Sequence, residues 1–286
     1  MKKSGTGEFL FHYYKKQEAS FQVHLYKISL TGSPADVHRI RVGLKKIRAM
    51  FALFELVDPH GFSRKKGWKI FADLFKHAGR IRELNVNQAY LYKNGGGGPE
   101  ILMLQKYFSI REKKIMRNFL AGLTRFSNKE LKAVSNKIRE TGRKVTLEQL
   151  VDKSWELIRE KAGIIHKLEI DTADSETIHK VRKHLKAMSA VASLSSALHS
   201  DERLDSILTD MRRAEELIGE WHDRSVLLDF MNKFLHRMEK KKGADTKALL
   251  IFRDSVQEEA HSLLKQIIPE VHSVLNFIRA TLESPE

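Results

Sequence analysis

The chain has 286 residues, no cysteine, and 51 Lys and Arg against 36 Asp and Glu, for a formal net charge of +15. Without cysteine it forms no disulfides and has no thiol chemistry, and no apolar run reaches the ~18 residues needed to cross a bilayer. The opening Met1-Lys2-Lys3-Ser4-Gly5 leads into Phe9-Leu10-Phe11-His12 and not into an apolar signal core, so a cytoplasmic location is expected.

Five prolines and apolar residues recurring at three and four predict helices nearly throughout, eight or so in all, four to a bundle. Ser33-Pro34-Ala35-Asp36 reads as a helix start, with a capping serine and proline at the first helical position. The helix that follows carries His38, Arg41, Lys45 and Arg48 within roughly an 80° arc. Ile40, Leu44, Ile47, Phe51 and Phe54 gather on the opposite side as a core stripe. Asp58-Pro59-His60-Gly61 ends it, and Arg64-Lys65-Lys66 reads as an exposed loop that adds to the positive field.

Gly79-Arg80-Ile81-Arg82-Glu83-Leu84-Asn85-Val86 lies in the next helical pattern. Arg82 projects at about the angle of Trp68, Phe71 and Phe75, in the middle of an apolar stripe. A guanidinium aimed at a core needs a counter-charge, because an unpaired buried charge costs several kcal/mol. An internal carboxylate and a bound phosphate would each supply one, and the planar fork of arginine suits the phosphate. Asn94 to Pro99, with four consecutive glycines, is a loop, and no Gly-Lys-Ser/Thr follows it to make a phosphate cradle. Arg111 sits at the edge of the stripe of Leu104, Phe108 and Ile115, a weaker binding candidate.

Thr141-Gly142-Arg143 reads as the joint between a unit at residues 1–140 and another at 141–286, with one long helix from Val145 to Ile165 after it. Asp174-Ser175-Glu176 starts a helix bearing His179, Arg182 and Lys186, and Lys241-Lys242-Gly243 marks a later turn. Setting His38 on His179 puts Arg41 on Arg182, Leu44 on Leu185, Lys45 on Lys186 and Ile47 on Met188, with Ser189 where the first copy has Arg48. Gly79 to Val86 likewise aligns with Gly219-Glu220-Trp221-His222-Asp223-Arg224-Ser225-Val226: the glycine, the valine and an acid coincide, and His222 replaces Arg82. A self-match at fixed offset is the mark of a duplicated unit. What repeats here is cationic as well as apolar. Like charges at i, i+3 and i+4 repel by a few tenths of a kcal/mol per pair, so a helix that stacks them is arranged for a multivalent anion.

Residues 1–140 hold 28 Lys and Arg against 11 Asp and Glu, a net +17, and residues 141–286 hold 23 against 25, a net −2. The positive field therefore belongs to the first unit, and the second should bind anions less strongly.

Metal binding is not expected: no His-Glu-x-x-His pair occurs, and cations flank His38 and His179. No strand-elbow serine, paired carboxylates or magnesium-holding acid cluster suggests catalysis, so no enzymatic activity and no cofactor are expected. Nucleic acid is the alternative partner, since its phosphates would satisfy the same charges. The basic arcs, however, lack interleaved aromatics for stacking. A helical scaffold with solubilising charge would explain the composition but not the repeated arc.

The His38-x-x-Arg41-x-x-x-Lys45-x-x-Arg48 helix, its partial copy at His179, Arg182 and Lys186, and the Gly79–Val86 and Gly219–Val226 segments together resemble the conserved-histidine α-helical domain, or CHAD, family over essentially the whole chain. The resemblance implies an all-α fold of two helical bundles related by a pseudo-two-fold axis, with a basic groove or pore between them that binds inorganic polyphosphate. It also implies an association with polyphosphate granules. The triphosphate-processing tunnel domain that often accompanies such domains is not expected here, because neither its alternating-acid strand motif nor room for it is found. Polyphosphate carries about one charge per unit and no bases, so closely spaced Lys and Arg can match it without reading a sequence. Arg41, Lys45, Arg48 and Arg82 would hold it from one side and Arg182 and Lys186 from the other. His38, His179 and His222 would donate hydrogen bonds.

Overall fold

The computed structural model describes residues 3–123, 126–170, 174–239 and 246–283, and these are helical almost throughout, with no strand among them. Five helices make the first series, the last of them running through Thr141 and Gly142 of the expected joint: α1 (Lys3–Thr31), α2 (Pro34–Val57), α3 (Arg64–Asn94), α4 (Pro99–Leu123) and α5 (Asn128–Gly142). Four follow it: α6 (Leu147–His166), α7 (Ser175–Leu198), α8 (Glu202–Glu239) and α9 (Lys247–Glu283). The described helices thus number nine, one more than the sequence pattern suggests, and divide five and four. The turn expected at Lys241-Lys242-Gly243 lies outside the described residues.

Local chemistry sets the boundaries. Asp174 Oδ1 accepts from the Thr177 amide at 2.8 Å and caps α7. At α2, Ser33 has an extended backbone and Pro34 opens the helix, but the serine side chain makes no cap bond. The proline already removes one of the orphan amides a cap would satisfy. Thr146 and Gln149 form a capping box that starts α6 at Leu147, two residues later than the pattern suggests. Gly96 takes φ 71° in the loop between α3 and α4, a left-handed conformation open to glycine at little cost. Arg64, Lys65 and Lys66 are exposed as expected, but they form the first turn of α3 and not a loop. Ser63 Oγ accepts from the Lys66 amide at 3.4 Å and holds that turn closed.

Successive helices pack as antiparallel neighbours would: α1 on α2, α2 on α3, α3 on α4, then α6 on α7, α7 on α8, and α8 on α9, with α5 returning to α1. Four further contacts join the two series, α2 to α7 and to α6, α3 to α8, and α4 to α9. The two helices with aligned cationic arcs therefore touch each other. The core follows these contacts. One apolar cluster takes residues from all nine helices, including the aromatic group Phe21, Phe51, Phe54 and Phe71. A second gathers Leu84 and Leu91 of α3, Leu104 and Phe108 of α4, Leu227, Met231 and Phe234 of α8, and Leu249 and Val256 of α9. Each cluster draws on helices from both sides of the joint, so the seam between the two series is itself supported by buried apolar surface.

Candidate anion-binding site

The apolar sides of α2 and α7 are placed as their sequences demand. Ile40, Leu44 and Ile47 of α2, and Ile178, Val181, Leu185 and Met188 of α7, have no measurable exposure. With those faces held inward, the cationic arcs turn toward the seam where α2 meets α7 and α3 meets α8. Arg41, Lys45, Arg82, Arg182 and Lys186 come close enough there to perturb one another. Burial lowers the pKa of Arg41, and Arg82 and Arg182 lower it further against the opposing pull of Glu83. Lys45 keeps solvent contact, yet burial lowers it first, followed by Arg41 and Arg182. Lys186 is brought down to about 8 by burial, then by Arg182, Lys45 and Arg41, with Glu215 opposing. Arginines stay protonated throughout the physiological range, so the ammonium groups of Lys45 and Lys186 are the ones left to adjust, both of them lowered.

The three histidines expected at the site belong to the same cluster. Burial, then Arg82, Lys45 and Arg41, lower the His38 pKa. Burial, then Arg182, lower that of His179, and Asp229 opposes them. His222 falls to about 4 through burial, Arg182, His179 and Lys186. All three are neutral at pH 7, each with one N–H to donate and one nitrogen to accept. The rings of His179 and His222 meet edge to face at 5.2 Å, and His179 lies 5.1 Å from the nearly buried Trp221.

Arg82 is half-buried, and its charge acts on Asp223 of α8 and His38 of α2. Packing of α8 against α3 supplies this polar neighbourhood, which the angular argument from α3 alone could not include.

Two expected residues stand apart. Arg48 stacks on Trp68 at 5.4 Å and feels Arg64, not the central cations. Its counterpart Ser189 contacts Met211 of α8. Arg111 lies over Tyr107 and Phe230, at 5.4 Å from each ring, on the α4–α8 side.

Three carboxylates join the cluster: Glu83, Asp223 and Glu215. Burial raises the Glu83 carboxyl, opposed by Arg41. Burial also raises that of Asp223, opposed by Arg82 and Arg182. Glu83 and Asp223 are the coinciding acid of the two aligned segments, and that coincidence was their only signal in the sequence. Glu215 has none. Despite these neighbours, among the described residues none of Arg41, Lys45, Arg82, Arg182 and Lys186 forms an ion pair within 4.0 Å. Arg182 Nε and His222 Nδ1 are buried without a hydrogen-bond partner. A buried donor without a partner costs about 1–3 kcal/mol, a cost that a bound acceptor would remove. Among the described residues no group of three His, Asp or Glu side chains could hold a metal ion, and no helix is long and apolar enough to cross a membrane.

The fold and this seam define an all-helical protein with a cationic cluster shared by two helix series. The CHAD domain family model matches residues 14–232, and the chain belongs to that family. Among solved structures it is similar to the crystal structure of the CHAD domain from the plant Ricinus communis, with a TM-score of 0.72 over 93% of this chain and 91% of that one. Sequence identity between the two is 14%, so what they share is the fold. No curated protein matches the chain.

Proposed function

We propose that the seam between α2, α3, α7 and α8 binds inorganic polyphosphate without chemical conversion. In this reading Arg41, Lys45, Arg82, Arg182 and Lys186 meet non-bridging phosphate oxygens. Neutral His38, His179 and His222 add hydrogen bonds that do not depend on charge. The observation that carries it is the gathering of five cations from three helices, with no carboxylate among the described residues within 4.0 Å of any of them. Like charges drawn together in partly desolvated surroundings repel, and a linear polyanion relieves the repulsion of all of them at once. Arginine forks and lysine ammonium groups form charge-assisted hydrogen bonds with phosphate.

Polyphosphate suits the seam better than nucleic acid. Phe75 is covered by Arg41, with the guanidinium carbon 4.9 Å from the ring centre, and Trp221 is 2% exposed. Arg41 thus takes one face of Phe75, and Trp221 has no exposed face for base stacking. A cytoplasmic location, at polyphosphate granules, accords with this reading. The deciding measurement is competition between polyphosphate and single-stranded RNA of equal charge at near-physiological salt. Polyphosphate is expected to displace RNA; displacement in the opposite direction would make the same basic seam a nucleic-acid site.

A further inference from the structure

Arg224 and Arg111 are both stacked on tyrosines of the first series, but their surroundings differ. Arg224 lies 3.8 Å from the centre of the Tyr90 ring, and its Nε donates to Glu259 Oε2 at 2.8 Å. Tyr90 donates to the other oxygen of the same carboxylate at 2.7 Å. That group of three is complete: cation, ring and anion are all matched, and it ties α3, α8 and α9 together. At the α4–α8 contact, Tyr107 instead has two guanidiniums against it, Arg111 at 5.4 Å and Arg237 at 5.2 Å from the ring centre. Arg111 Nη1 also donates to the Tyr107 hydroxyl at 2.5 Å. Among the described residues neither arginine has a carboxylate within 4.0 Å. One ring thus holds two positive groups from opposite helix series with no anion between them.

Helix geometry connects this pair to the central cluster. Asp223, Phe230 and Arg237 are seven residues apart on the unbroken helix α8, so they fall along one side of it, drifting only about 20° per step. At 1.5 Å per residue, Arg237 stands about 21 Å from Asp223, with Phe230 midway. Arg111 lies over Phe230, 5.4 Å from the ring. On α3, Asn85 donates to Glu112 of α4 at 2.6 Å, which puts Arg111 within a turn of Arg82 and Glu83 in height. Cations therefore continue from Arg82 and Arg182, past Arg111, to Arg237 along one edge of α8.

We infer that Arg111, Arg237 and Tyr107 form a second anchoring point for the same polyanion, so that the protein selects long phosphate chains over short ones. The inference rests on the polyphosphate reading above. A short chain seated at the central cluster ends before reaching Arg237. A long one engages both points, and the second contact is then intramolecular, with a high effective concentration.

The test compares tripolyphosphate with long-chain polyphosphate, by binding isotherms at matched salt, for the unaltered protein and for Arg111→Gln with Arg237→Gln. The double variant is expected to bind long chains at least about tenfold more weakly, as the loss of two charge-assisted contacts predicts. Its tripolyphosphate affinity should change by less than about twofold, since the lost charges lie near or beyond the screening length of the short-chain site. Arg237→Gln alone, at an exposed position, should show part of the long-chain loss with an unchanged circular dichroism melt. Equal losses for both probes would overturn the second anchor and leave a diffuse field. Unchanged long-chain affinity would overturn it while sparing the central site. Failure of the unaltered protein to bind either probe would instead remove the polyphosphate reading, and the second anchor with it.

Discussion

The guanidinium of Arg41 occupies the space that a side chain at position 79 would need: a Cβ on Gly79 would stand 2.5 Å from Arg41 Nη1. The same Nη1 donates to the Phe75 carbonyl at 3.4 Å, so the arginine of α2 lies across one turn of α3 and is held there by its backbone. Gly219, which aligns with Gly79, has nothing within 4 Å of a Cβ built on it. The two glycines therefore have different reasons to be glycine, although their segments read alike.

Gly79→Ala should accordingly push the Arg41 guanidinium away from its position at the seam. Polyphosphate affinity should fall by roughly tenfold, the effect of one charge-assisted contact at about 1.5–3 kcal/mol. Gly219→Ala should leave binding alone and raise stability by about 0.5–1 kcal/mol, because alanine loses less conformational freedom in a helix interior. Isotherms and denaturant melts of the two variants check both statements, and equal binding losses would contradict the assignment of Gly79 to Arg41.

Lys186 gives the site a pH dependence whose sign can be worked out. Its ammonium is brought from the ordinary 10.5 to about 8 in the folded protein. Between those values the unfolded chain holds the proton that the folded chain has released, so this group makes stability rise with pH across the window from about 8 to 10.5. Binding runs the other way. A polyanion favours the charged amine, so affinity should fall as pH rises through about 8, and complex formation just above that pH should take up a proton. Titration calorimetry in two buffers of different ionisation enthalpy measures the uptake, which Lys186→Gln should abolish. Uptake that persists undiminished in the variant would assign it to another group.

Arg82 and His222 occupy aligned positions but differ in charge at pH 7, since His222 is held at about 4. By analogy with phosphate contacts to nucleic acids, Arg82→Gln should reduce the slope of log affinity against log salt by about one, while His222→Gln should leave it unchanged. A matching drop in both variants would mean that His222 is charged in the complex.

The apolar halves of the aligned helices were the most legible part of the chain. Leu44 and Leu185 are read from a stripe at helical spacing, and both are fully buried; replacing either with alanine should cost about 2–5 kcal/mol in a denaturant melt. The angle of each cationic arc to its stripe also fixes which way the arc faces once the stripe is buried. What single-helix geometry could not supply was the neighbour across the seam. Arg48 shares an arc with Arg41 but lies far enough along α2 to meet Trp68 and Arg64, not α7. Arg82 shares an angle with Phe71 and Phe75, but lies farther along α3, where α8 brings Asp223. Glu215 enters the site only because α8 passes Lys45 and Lys186. Each of these outcomes depends on where two helices cross, which no periodicity within one helix records.

The remaining prediction separates a site from a field. Arg41→Ala with Lys45→Ala removes two positive charges at the seam. Lys129→Ala with Lys132→Ala removes two from exposed positions on α5, a helix that packs on α1. A purely long-range attraction would treat the pairs nearly alike, whereas screening beyond about 8–10 Å favours local contact. The seam pair should lower polyphosphate affinity at least about tenfold, from two charge-assisted hydrogen bonds of roughly 1.5–3 kcal/mol each, and the α5 pair by less than about twofold. Both variants should stay folded, because all four side chains lie off the buried stripes. Removing Arg41 also relieves part of the repulsion on Lys186, so the seam variant should not melt below the unaltered protein by more than the ~1 kcal/mol typical of a lost surface contact. Isotherms at matched salt beside circular dichroism melts decide the matter. Equal affinity losses in two folded variants would show that the positive charge of this protein acts as a whole and that the seam is not its binding site.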